Sequence, residues 1–276
     1  MSQVTSGVQA GSLPARKDGA RFYQAQYRVR TGDVDQDMRV RLDAVARYLQ
    51  DIANDNLEAT EFGKTEPFWI VRRTVIDVIR PISWPGTVTA QRWCGALSTR
   101  WTNMRVRLTS DHETNRFNPD PRPEGLIETE AFWINVNDKG VPSRLSDEAF
   151  EMLSSMTDEH RLRWKSMNPE KAPAAEDIPF PDREHVLRIT DFDPFKHLNN
   201  AAYLEAIEDE LVEHPRSRRH AAPGGHRYLR PIVPRDAPHP SSRPRGRPAD
   251  GVAAGTRVRR RAGRCRECGG GGPLPA

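Results

Sequence analysis

No stretch of the 276 residues approaches the roughly 18 consecutive apolar residues that would carry a helix across a bilayer. The opening residues 1–20, MSQVTSGVQAGSLPARKDGA, also lack the apolar run of a secretion signal and read as a disordered leader. Cysteine is scarce: of three, only Cys94 precedes the C-terminal tail, which excludes a disulfide framework. Cys265-Arg-Glu-Cys268 has no second pair to complete the four ligands of a zinc site, so neither a metal nor a cofactor is expected. Together these absences predict a cytoplasmic protein with no membrane association.

Residues 215–276 lack lysine altogether and hold a single aromatic, Tyr228. They carry 15 Arg against three acids, together with 10 of the 23 Pro and 10 of the 19 Gly. The net charge of +4 therefore hides two opposites: +12 in this tail and −8 in residues 1–214. Without interleaved aromatics or a folded motif, the arginines do not describe a nucleic-acid surface, and no nucleic-acid partner is expected.

Upstream of the tail the patterns are strong. Tyr27–Arg30 reads as a short strand followed by a Gly/Asp turn. Leu42, Val45, Ala46, Leu49, Ile52, Ala53 and Leu57 then keep helical spacing for about four turns. Strands are predicted over Trp69–Arg80, Thr87–Leu97, Trp101–Ser110 and Leu126–Val136, the last alternating as a pleat requires. Asn137–Gly140 reads as a turn, and residues 168–182, with Pro169, Pro173, Pro179 and Pro181, read as a linker.

Beyond that linker the opening pattern returns. Asp33-Val34-Asp35 is matched by Asp191-Phe192-Asp193, and Arg80-Pro81-Ile82 by Arg230-Pro231-Ile232. Strand, Asp-x-Asp turn and helix recur in one order, which points to an internal duplication. A long helix followed by long antiparallel strands describes a sheet wrapped around a helix. The expected architecture is α+β, two tandem hot-dog repeats, with the second apparently incomplete. Its parts are a leader (1–20), an N-terminal repeat (21–167), a linker (168–183), a C-terminal repeat (184–234) and an Arg/Pro/Gly-rich disordered tail (235–276).

The densest chemical cluster runs from Asp191 through Asp193, His197, Asn199 and Asn200 to Tyr203. It sets a carboxylate four residues before an imidazole, both ahead of a helix start where Asn199 or Asn200 is a natural N-cap. The unpaired N–H groups of a first helical turn can polarise a carbonyl and receive developing negative charge. A carboxylate can attack a thioester or deprotonate water beside it. At the equivalent turn of the first repeat, Arg39 and Arg41 replace the histidine and first asparagine, so Asp33 and Asp35 are expected to be structural. Some of the six tryptophans (69, 84, 93, 101, 133 and 164) are candidates to line a tunnel. Arg72, Arg73 and Arg80 are either contacts for an acidic partner or solvated strand residues.

These residues resemble the hot-dog thioesterases, whose signature runs Asp-x-x-x-His-x-Asn-Asn-x-x-Tyr. They are most similar to the acyl-carrier-protein thioesterases of plants and bacteria, a likeness that extends over residues 25–214 and Tyr228–Pro234. The resemblance implies hydrolysis of fatty acyl thioesters, with release of free fatty acid from acyl-acyl-carrier protein in fatty acid biosynthesis. It implies as partner an acyl carrier protein bearing a phosphopantetheine-linked acyl chain, and it allows a homodimer. The N-terminal repeat would shape the acyl pocket, while Asp193, His197 and Asn199 of the C-terminal repeat would form the catalytic set. Phe195 stands where the plant enzymes carry an asparagine, and their glutamate or cysteine on the next strand falls here on Pro231 or Ile232. An acyl-CoA thioesterase and a non-catalytic acyl-binding protein are therefore the alternatives. The tail cannot complete a hot-dog sheet, which suggests a shifted reading frame, an inactive chain as written, and exposure of Leu204, Ile207 and Leu211.

Overall fold

A computed structural model describes Leu13 and residues 15–60, 64, 68–162, 183–213, 224–227 and 256–259. Most of the expected leader, linker and tail lies outside the described residues, as do Tyr228–Val233, Arg230-Pro231-Ile232 and the Cys265/Cys268 pair.

The elements are β1 (Tyr23–Arg28), α1 (Leu42–Glu58), β2 (Trp69–Arg80), β3 (Thr87–Leu97), β4 (Trp101–Ser110), β5 (Gly125–Asn135), α2 (Asp147–Ser154), β6 (Arg183–Val186), α3 (Asn200–Glu213), β7 (Gly224–Arg227) and β8 (Thr256–Arg259). Six strands form one antiparallel sheet in the order β1-β3-β4-β5-β2-β7, and β6 pairs in parallel with β8. The fold is α+β, as expected. Strands β2, β3 and β4 have the predicted bounds, because β-branched and aromatic residues dominate them. The first strand begins four residues earlier than predicted and ends at Arg28. Its register against β3 runs from Tyr23↔Arg92 to Arg28↔Thr87, and the Gln-Ala-Gln stretch hides the alternation.

Helix α1 lays Ala44, Val45, Tyr48 and Ile52 against the sheet, none more than 1% exposed. They meet every second residue of the facing strands: Val88 and Ala90 on β3, Val106 and Leu108 on β4, Ile127 on β5. Helix α2 was not expected. Ser146 caps it by accepting a hydrogen bond from the Ala149 amide, and Ala149 and Leu153 fix its buried side. It encloses a second apolar cluster with Cys94, Leu97 and Met104.

The expected exposure of the α3 face is corrected by the structure. Leu204 is 1% exposed and joins the core cluster of α1, with Ile207 packed against it; the side chain of Leu211 lies outside the described residues. The two helices bury each other's apolar faces, so Leu204 needs no second sheet for cover. A polar exchange completes the pairing. Gln50 of α1 donates to Asn199 at the start of α3 (3.1 Å), and Glu208 of α3 accepts from the amide of Leu42 at the start of α1 (2.9 Å). Position 208 follows 50 by 158 residues, so the two contacts come from equivalent positions of α1 and α3; Gln50 meets residue 199, whose equivalent is 41, while Glu208 meets the next residue, 42. Arg41 lies 3.8 Å from Glu208, and Arg47 bridges Asp43 (2.8 Å) and Glu205 (3.8 Å) across the same seam.

Two outcomes test this packing. A Cβ on Gly125 would sit 2.5 Å from Ile82 Cγ1 and 2.7 Å from Ile82 Cα, and Ile82 is fully buried. The Cα cannot rotate away, so Gly125→Ala should lower stability by roughly 1–3 kcal/mol in denaturant titration. An unchanged midpoint would show that the β5 end is looser than the packing implies. Second, burial pushes the Glu208 carboxyl up to about 7, against the opposing hydrogen bond from Leu42. A raised folded-state pKa makes stability greatest below the unfolded value and lost as pH climbs through the folded one. Stability should fall by on the order of 1–3 kcal/mol between about pH 5 and 7. Glu208→Gln keeps an acceptor for Leu42 and should flatten most of that fall. Glu205, also raised by burial, leaves a remainder. An undiminished slope in the variant would remove Glu208 from the cause.

Candidate functional site

The two Asp-x-Asp turns are built alike, bond for bond. In the first, the Arg30 amide donates to Asp33 Oδ2 (3.0 Å), the Asp35 amide to the Arg39 carbonyl (2.8 Å) and the Arg39 amide to Asp35 Oδ1 (2.9 Å). In the second, the Arg188 amide donates to Asp191 Oδ2 (2.6 Å), the Asp193 amide to the His197 carbonyl (2.8 Å) and the His197 amide to Asp193 Oδ1 (2.9 Å). Met38 and Lys196 both adopt left-handed backbone, with φ of 62° and 63°. Asp33 and Asp191 are buried, and each main-chain oxygen accepts from the residue ahead of its helix: Arg41 (2.9 Å) and Asn199 (2.7 Å). Every pair differs by 158 positions, so the repeat seen in the sequence is a repeat of geometry at turn and helix.

The side chains at the tips part company. Arg39 is held by its own turn, hydrogen-bonded to Asp37 and 3.8 Å from Asp35. Its counterpart His197 has no hydrogen-bond partner for its ring among the described residues and lines a cavity of about 590 Å³. That cavity is otherwise walled almost entirely by the first repeat: α1, the inner face of the sheet, and α2. Trp69, Trp93 and Trp133 line it, as do Met104, Met152 and Met156. Its size and mainly apolar wall suit a small-molecule pocket with few polar groups. Trp84 packs by Phe117 and Trp101 by Phe132, and Trp164 lies outside the described residues.

Of the three predicted site residues, His197 alone reaches this cavity. Asp193 is half-buried in the same turn, its Oδ1 engaged with the His197 amide. It fixes where the imidazole sits, by the bond that Asp35 makes in the first turn. Asn199 caps α3: its Oδ1 accepts from the Ala201 amide (2.9 Å) and from Gln50 (3.1 Å). Phe195, 75% exposed, lines the cavity beside His197. Sequence reasoning missed Arg92, Asn56, Met152 of α2 and Met156 just beyond it as wall residues. The pleat could have found Arg92, which shares its strand face with Val88 and Ala90. Arg73 and Arg80, candidates for partner contacts, are tied within the sheet to Glu130 (2.7 Å) and Glu124 (3.5 Å). Among the described residues no three His, Cys, Asp or Glu side chains gather as a metal site, and no helix is long and apolar enough to cross a membrane.

With this geometry in place, comparison with known proteins places the chain. Residues 20–153 match the acyl-ACP thioesterase N-terminal domain, and residues 179–222 match the acyl-ACP thioesterase C-terminal domain. The C-terminal match ends inside the arginine-rich segment. An uncharacterized protein of Mycobacterium tuberculosis is 40% identical over 205 residues, covering 74% of this chain and 76% of that one. The chloroplastic acyl-[acyl-carrier-protein] hydrolase FATB2 of Cuphea viscosissima is 26% identical over 224 residues, covering 71% of this chain and 50% of that one. The solved structure of the 12:0-ACP thioesterase from Umbellularia californica superposes with a TM-score of 0.54 at 19% identity, over 78% of this chain and 79% of the other. The hot-dog fold is thus shared with solved thioesterases. Matched in both of its domains, and with its histidine turn closing a pocket built by the first, the chain belongs to the acyl-ACP thioesterase family.

Proposed function

We propose that this chain hydrolyses fatty acyl thioesters carried on acyl carrier protein, releasing the free fatty acid. The observation that carries the reading is the asymmetry of the two turns. One construction is used twice; the first copy ties its cation to carboxylates, and the second turns an unpartnered imidazole into an apolar cavity. An acyl chain lying in the cavity would bring its thioester to the turn that holds Asp193 and His197.

In this scheme the Asp193 carboxylate takes a proton from water attacking the thioester carbonyl, or attacks that carbon itself. The C–S bond breaks, the pantetheine sulfur leaves as the thiol with one proton, and water's hydroxyl completes the carboxylic acid. His197 orients the carbonyl or moves the proton. Asn199, fixed by Gln50 and Ala201, positions the start of α3, whose dipole presents its positive end to the developing oxyanion. The parallel division of labour is an N-terminal repeat (21–167) that shapes the pocket and a C-terminal repeat (from 184) that carries the chemistry.

Two measurements test the proposal. Purified protein assayed against matched acyl-ACP and acyl-CoA substrates should show the higher kcat/KM on the carrier protein. A preference for CoA would move the activity to the acyl-CoA class, and no turnover on either would leave a binding protein. Asp193→Asn and Asp35→Asn each keep an oxygen that can accept the turn's amide hydrogen bond, so both should fold. Asp193→Asn should lose at least roughly 100-fold in kcat, and Asp35→Asn should lose little. Equal effects from the two would show that Asp193 serves its turn and nothing more.

A further inference from the structure

The cavity has a feature that hydrocarbon alone does not satisfy. Arg92 rises from the sheet face beneath the C-terminal half of α1 and lines the wall. Its guanidinium donates to Asn56 Oδ1 (2.7 Å), and no carboxylate lies within ion-pairing distance of it among the described residues. The side chain is half-buried against the cavity, and burial lowers the guanidinium from its ordinary value. Among the described residues its five N–H donors meet one neutral side-chain oxygen, and the half-buried side chain borders the cavity. A second donor accompanies it: Trp133 also lines the cavity, and its buried Nε1 has no hydrogen-bond partner. Thr102, 1% exposed, stands opposite Trp133 in the β4–β5 register and lines the same wall.

Arg105, buried in the sheet, is treated differently. Arg105 is paired with Glu128 at 3.3 Å and also donates to the Thr129 carbonyl (2.8 Å). A cation that an incoming apolar group would bury without an acceptor is costly, and the cost is offset when the incoming group brings one. A plain alkyl chain would leave both Arg92 and the Trp133 indole unsatisfied and would displace whatever solvent reached them.

We infer that the acyl chain admitted here carries an oxygen function beyond the thioester, of which a distal carboxylate is the class that best completes Arg92. Substrates would then be half-thioesters of dicarboxylic acids, or hydroxylated acyl chains, rather than unsubstituted ones. Gln50, which touches the Asn199 cap next to the histidine turn, lies six residues before Asn56 on α1, or roughly 9 Å along the helix. That separation suits an oxygen several carbons from the thioester, and not one on the carbon next to it. The inference rests on the thioesterase reading for its chemistry, but the binding it describes can be measured without turnover.

The test is calorimetric binding of dicarboxylic, ω-hydroxy and unsubstituted monocarboxylic acids over a range of equal chain lengths, to the wild-type chain and to Arg92→Met. The kcat/KM for the corresponding thioesters is measured alongside. Wild type should bind the oxygenated acids at least tenfold more tightly than unsubstituted ones, and their thioesters should show a similar ratio of kcat/KM. In Arg92→Met both ratios should collapse toward one. If that variant does not fold, the wild-type ratio alone decides. Equal or tighter binding of the unsubstituted acids overturns the inference, as does an oxygenated-acid preference that survives Arg92→Met. Hydrolysis of unsubstituted thioesters with no such preference would sink it while sustaining the thioesterase reading. Arg92-dependent acid binding without any hydrolysis would do the reverse.

Discussion

The arrangement depends on the seam between α1 and α3, where two helices related by the internal repeat bury each other's apolar faces and exchange polar contacts at their starts. A helix begins with N–H groups that have no partner inside it. Here the other helix is drawn into that need: Glu208 accepts the first amide of α1, and Gln50 reaches the residue that caps α3. Because each histidine-position turn sits immediately before its helix, fixing the seam also fixes both turns. The position of His197 against a cavity made by the first repeat follows from the same contacts.

The seam is also where charge is concentrated. Asp43, 1% exposed, lies between Arg41 (2.9 Å) and Arg47 (2.8 Å); despite its burial, these partners hold its carboxyl below the usual range. Across from it Glu205 and Glu208 are raised by burial and by the proximity of Asp43. One carboxylate is therefore saturated with cations, while two others lie against a charge of their own sign. The likeness of the two turns and helix starts is broken in the side chains, since Arg47 and Glu205, Gln50 and Glu208, and Arg39 and His197 occupy equivalent positions. The same turn-and-helix construction occurs twice, and different tip residues leave one copy tied to its own carboxylates and the other facing the cavity.

Much of this was readable from the residues. Strands β2 to β4 announced themselves by β-branched and aromatic runs, and α1 by its apolar spacing, because each segment's local preference agrees with its burial. The Asp-x-Asp turns were legible because a turn held by a carboxylate and a left-handed residue is written in a few adjacent positions. The turn positions of Asp193 and His197 and the cap position of Asn199 were legible for the same reason. The burial of Leu204 was not, since it depends on α1, some 160 residues away in sequence, and on pairing that a single helix pattern does not encode. Arg92 was hidden by its type: a charged residue in a strand reads as solvent-facing. Its alternation with Val88 and Ala90, and its register beside Tyr23 and Val106, place it on the cavity side.

Two turns of one construction differ in what their tips face, the first its own carboxylates and the second the apolar cavity. The most direct measurement is side-chain NMR of the wild-type protein titrated with a non-hydrolysable acyl thioether of pantetheine. The His197 imidazole resonances should move with the fraction of protein bound, while the Arg39 guanidinium resonances stay in place. Shifts at Arg39 equal to those at His197, or a bound ligand that leaves His197 undisturbed, would contradict the account.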